Sequence, residues 1–152
     1  MGDPDVQLAL SDPHREFWNW LNKRPDRFLK ILRDQLGIKL WSRQEEIYFS
    51  AFEHPQTYVR TGNGVGKTYV SGVIGCAFLL CYSPSVVVYI ATKREQVKRQ
   101  AWAHFRGVYN KVRDLFGSMS PPLLLPKPLT ESVTISQKDN WFATIWSGDE
   151  DD

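Results

Sequence analysis

Apolar positions along the chain change their spacing in a way that divides it into helices and strands. Phe17, Trp18, Trp20 and Leu21 form one apolar cluster. Phe28, Leu29, Leu32 and Leu36 follow at helical intervals before Gly37, and these features predict two short helices with a glycine stop. A third helix is expected from Ser42, as N-cap, with Glu45 closing a capping box. Gln56–Arg60, after Pro55, is rich in β-formers and reads as a short strand. Lys67 to Tyr82 is mostly apolar without internal proline and stops at Ser83-Pro84, as a buried helix would. Ser85–Ala91 is a β-branched run, predicting a strand covered on both faces of a parallel sheet.

Thr92-Lys93-Arg94-Glu95 reads as another capping box. The helix after it carries the stripe Val97, Ala101, Phe105, Val108, Val112 and Leu115. Beyond Gly117 the prolines at 121, 122, 126 and 128 mark loop. Glu131–Ser136 and Asn140–Ser147 then suit two strands joined by Gln137-Lys138-Asp139. Residues 1–53 are thus expected as a helical lead-in and 54–152 as an α/β core.

The junction between the expected strand and the buried helix holds the strongest chemical signal. Residues 61–68 read Thr61-Gly62-Asn63-Gly64-Val65-Gly66-Lys67-Thr68, a Walker A phosphate loop with threonine in place of the usual first glycine. Gly62, Gly64 and Gly66 let the backbone curl so that successive N–H groups face phosphate oxygens. Lys67 is expected at the β- and γ-phosphates of ATP and the Thr68 hydroxyl on Mg2+. A helix N-terminus behind the loop favours the same anion. Strand, loop, helix and strand make the βαβ unit that this motif requires.

Upstream, Trp41-Ser42-Arg43-Gln44 places a glutamine where its amide can pair with adenine N6 and N7. Trp41 either flanks the base or packs beneath the helix, with packing favoured. Downstream, Arg99, Arg106 and Arg113 recur every seven residues beside Trp102 and Tyr109. That face either tracks a nucleic-acid backbone or is an ordinary solvated helix surface.

Composition sets the limits. With 152 residues, 42% hydrophobic and 13% aromatic, the chain can bury a core of one domain. A net charge of +2 is too small to imply nucleic-acid binding by itself. Cys76 and Cys81 point to different faces of one helix, so buried thiols are expected rather than a disulfide. The three histidines, scattered along the chain, give no zinc spacing. No apolar run is long enough to span a bilayer and no signal peptide is evident, the profile of a soluble intracellular protein. Asp149-Glu150 has the letters of a Walker B pair. However, Ser147-Gly148 intervenes after an alternating strand, so an acidic tail is the expectation there, and with it the binding half of an ATPase without its hydrolytic half.

Trp41–Gln44, the loop from Arg60 to Thr68, and Ala91–Val97 together resemble the large terminase subunit of tailed bacteriophages. The resemblance runs from about Leu40 to the end of the chain. It implies a RecA-like P-loop NTPase fold of the additional-strand type, here incomplete, and a motor that drives double-stranded DNA into a procapsid. It further implies Gln44 at adenine, Arg60 as a phosphate-sensing arginine and the segment after Ala91 as a counterpart of helicase motif Ia. In that family a hairpin like Asn140–Asp149 precedes Walker B, and a nuclease domain lies further on. A homo-oligomeric ring, portal and small-subunit partners, and action in the host cytoplasm docked on the procapsid belong to the same implication. Two other readings stand beside it: a superfamily 2 helicase-like motor, which would show Asp-Glu-x-Asp/His after a strongly apolar strand, and a non-hydrolysing nucleotide-binding module.

Overall fold

A computed structural model of the protein describes residues 14–59 and 66–148. Helices α1 (Arg15–Leu21), α2 (Pro25–Leu36) and α3 (Ser42–Glu53) lead into α4 (Lys67–Cys81) and strand β1 (Val86–Ala91). A short helix α5 (Arg94–Val97) runs through a π turn (Lys98–Trp102) into α6 (Ala103–Gly117), followed by β2 (Ser132–Ser136) and β3 (Trp141–Ser147).

Local chemistry accounts for the helical lead-in. Pro25 opens α2 at a position whose N–H would have no helical partner. Gly37 ends it in the left-handed conformation at φ +66°, and the Ile38 N–H donates back to the Leu32 carbonyl at 2.9 Å. The cap of α3 differs from expectation. Trp41, not Ser42, is the N-cap, and Gln44, not Glu45, reaches back: its Oε1 accepts from the Trp41 N–H at 3.2 Å. Starting the helix one residue earlier moves the third helical position, from which a side chain can bond the cap, from 45 to 44.

Helix α4 is the central element, with Val70, Val73, Cys76, Leu79 and Leu80 all buried. It packs against α6 so closely at Gly72 that a Cβ there would lie 2.7 Å from the Phe105 backbone nitrogen. Trp141 of β3 fastens the sheet to the same helix, donating from Nε1 to the Leu79 carbonyl at 2.8 Å. Two buried phenols tie neighbouring segments together: Tyr48 donates to the Pro25 carbonyl at the start of α2, and Tyr109 to that of Pro126 in the proline-rich segment. Both cysteines are free and buried, as expected.

The sheet corrects two expectations. Its three strands lie in the order β1-β3-β2, with β1 parallel and β2 antiparallel to β3, so it is mixed rather than parallel. β1 is not covered on both faces: Val86, Val88 and Ile90 face water, while Val87, Tyr89 and Ala91 pack against the core. Register puts Val86 beside Phe142, Val88 beside Thr144 and Ile90 beside Trp146, so the open face runs across two strands. Of the strand expected at Gln56–Arg60, Gln56–Val59 joins no ladder, and Arg60 lies outside the described residues. The two strands at the end pair as the expected hairpin, turned at Asn140 with φ +54°.

The helix after β1 is also less regular than its stripe implies. Lys93, not Thr92, precedes the first turn, without a side-chain cap. The π turn then inserts one extra residue. That brings Trp102, five residues after Val97, onto the core side, where its ring stacks on Phe105 at 4.8 Å.

Candidate phosphate-binding site

Two independent constraints hold the last residue of the glycine-rich loop. Gly66 caps α4 with φ +71° and ψ +33°, a conformation that costs residues with a Cβ about 1–2 kcal/mol. Its Cα also faces the Gln44 side chain, and a Cβ there would lie 2.6 Å from Gln44 Nε2. Gln44 itself is 7% exposed. One end of its amide holds the start of α3 through Trp41, and the other abuts the start of α4. Trp41, at 49% exposed, does not pack beneath the helix.

Lys67 and Thr68 then form the first turn of a 15-residue helix with no acidic residue in that turn. Its leading N–H groups lack helical acceptors and carry partial positive charge, which suits an anion. Lys67 is exposed and Thr68 half-buried. Both line a cavity of about 460 Å³ between α3, α4, β1 and the start of the α5–α6 helix, a size within the usual range of ligand pockets. Its walls are mostly apolar, from Ile47, Ile74, Tyr89 and Val97, and Gln96 and Gln100 add amides to the polar side. These two glutamines escape a search for charged residues. Their i, i+4 spacing after a strand is the signal that places them on one helix side.

Tyr89 fixes the cavity floor. Its hydroxyl donates to the Ser71 carbonyl at 2.6 Å, one turn into α4, so β1 and the start of that helix are tied together. Burial pushes the Tyr89 phenol well above its ordinary value, which keeps it a neutral donor.

Arg60, Thr61, Gly62, Asn63, Gly64 and Val65 lie outside the described residues, and so do Asp149 and Glu150. Of the sequence-selected loop residues, the structure brings together Gly66, Lys67 and Thr68 with Gln44. Among the described residues no group of three or more His, Cys, Asp or Glu gathers as a metal site; for Mg2+ they offer the Thr68 hydroxyl.

The three arginines do not form one face. Arg99 lies in the π turn, is exposed, and pairs with Glu95 at 3.4 Å. The extra residue of that turn displaces it by about 100° around the axis relative to an unbroken helix. Arg106 is exposed on α6. Arg113 is half-buried and donates from Nε to the Leu125 carbonyl at 3.1 Å, holding the proline-rich segment. Nearby, Glu131 accepts from Arg94 at 2.6 Å and faces Lys98 at 3.6 Å, so part of the positive charge at the start of this helix is locally balanced.

Comparison with known protein families, with curated proteins and with solved structures finds no match. Among the described residues no helix is long and apolar enough to cross a membrane.

Proposed function

We propose that this chain binds the phosphates of ATP at the N-terminus of α4, as the nucleotide-binding part of a DNA-packaging motor resembling the large terminase subunit. One observation carries the binding step: Gly66, left-handed and pressed against Gln44, leads directly into Lys67 and Thr68 at the edge of a ligand-sized cavity. The eight-residue motif that ends there supplies the remaining loop glycines. Lys67 would neutralise the β- and γ-phosphates, Thr68 would take one position on Mg2+, and Gln44 would stand at adenine, the role that the sequence resemblance implies for it. The motor assignment, with double-stranded DNA, a portal and a small subunit as partners, rests on the sequence resemblance.

Equilibrium titration with a fluorescent ATP analogue in the presence of Mg2+ tests the binding step. Lys67→Ala should weaken binding at least tenfold while leaving thermal unfolding within a few degrees of the parent. Equal affinities for parent and variant would sink the assignment of the loop.

A further inference from the structure

The α5–π turn–α6 helix presents two faces with different jobs. Trp102, Phe105 and Tyr109 stack in series on the core side. Gln96, Val97, Gln100 and Ala101 line the cavity onto which Lys67 and Thr68 open. An unbroken α-helix advances about 100° per residue and carries a side chain five positions on away from the one before it. The wide turn at Lys98–Trp102 removes that drift, so Trp102 joins the core while Gln100 stays at the cavity. Such π turns are rare and recur at functional sites, where they re-aim side chains.

Resting on the phosphate-site reading above, we infer that Gln96 and Gln100 are positioning residues for the terminal phosphate of a nucleoside triphosphate held at Lys67 and Thr68, and so distinguish triphosphate from diphosphate. The helix end and Lys67 meet the β-phosphate that both nucleotides share, and Lys67 extends to the γ-phosphate from its own side of the cavity. The glutamines sit on a different element, across the same cavity, where only a longer phosphate chain gains by reaching. A neutral amide suits that place. It donates to a phosphate oxygen, and it can accept from a water lying against that phosphate, without adding a fixed charge beside Mg2+. Gln100 belongs to the π turn itself, so a contact there acts directly on the irregular part of the helix.

The test compares Mg2+ complexes of the β,γ-imido analogue of ATP and of ADP on the full chain, by competition against a fluorescent nucleotide. Gln96→Leu and Gln100→Leu keep side-chain bulk and remove the amide. Each should weaken the triphosphate analogue about three- to tenfold and leave ADP unchanged, the size of one neutral hydrogen bond. Gln100→Glu should weaken it further, because it sets a carboxylate against the phosphate, again with ADP nearly unaffected. Equal losses for both nucleotides, or no loss in any variant, would overturn the inference while leaving the Lys67 site standing. A parent chain that binds neither nucleotide would remove both readings together. Matching melting temperatures among the variants exclude misfolding as the source of a selective loss.

Discussion

Gln44 Nε2 lies 2.6 Å from the point where a side chain on Gly66 would begin, so the helix before the loop and the helix after it meet at a glycine that cannot be replaced without displacement. Gly66→Ala should therefore cost more than its backbone conformation alone, about 1–2 kcal/mol. Gln44 is the flexible partner, so adding Gln44→Ala should recover part of the collision cost and none of the conformational one. A double-mutant cycle by denaturant unfolding checks this; strictly additive losses would show that the two side chains do not press on each other.

A second close approach joins β1 to α4. The Tyr89 hydroxyl lies where a Cβ on Gly75 would collide with it, and it donates to the Ser71 carbonyl. Tyr89→Phe should cost roughly 0.5–1.5 kcal/mol, as one hydrogen bond is lost. Gly75→Ala should cost more in the parent than in the Tyr89→Phe variant, where the phenolic oxygen is gone. Unfolding midpoints of the parent, the two single variants and the double variant measure the difference.

The buried thiols set an alkaline limit on stability. Burial, helped by the nearby Asp26 charge, pushes Cys81 from its ordinary value of 9.0 up to about 12, and burial raises Cys76 as well. A raised folded value favours the protonated form, so the contribution is complete below pH 9 and is lost as pH climbs towards 12. In that window each such thiol tilts stability by about 1.4 kcal/mol per pH unit. Melting temperature should hold steady to about pH 8.5 and then fall. Cys81→Ala should make the fall between pH 9 and 10 shallower, and an unchanged slope would mean that this thiol reaches water in the fold.

The sequence pattern reveals elements better than it reveals what covers them. Helix α2 is legible because the apolar spacing and the Gly37 stop agree on its body and end. The type of β1 is legible from its β-branched run, but its burial is not. Val86, Val88 and Ile90 are as apolar as the residues between them, and only the placement of the helices against one face decides which side is packed. Gln56–Val59 has strand-forming residues and no ladder partner, and a strand without a neighbour is not one. The π turn escapes notice because Ala101 and Trp102, four and five residues after Val97, are both apolar. Gln44 stands out in the sequence as a base reader, yet its contacts include a helix cap and a glycine. That arrangement needs distance information that the chain's letters do not carry.

The arginines offer a clean separation between charge and architecture. Arg106→Glu, which changes the local charge by two units, should weaken binding of a DNA duplex, with a loss that shrinks as salt rises. Arg113→Glu should instead lower the melting temperature, because its Nε holds the Leu125 carbonyl. Filter binding at several salt concentrations, with thermal unfolding alongside, distinguishes the two. Identical behaviour of the two variants would return the helix to a single uniform face.

Among the described residues, helices cover the sheet from one side, leaving Val86, Val88, Ile90 and Trp146 in a shared strip on the other. Ile90 alone is 66% exposed, and β1 is an edge strand. Such a strip leaves a well-packed interior intact and still makes molecules adhere to one another. For this chain, the concentration a solution tolerates is therefore set by that outer strip, before heat or denaturant reaches the core.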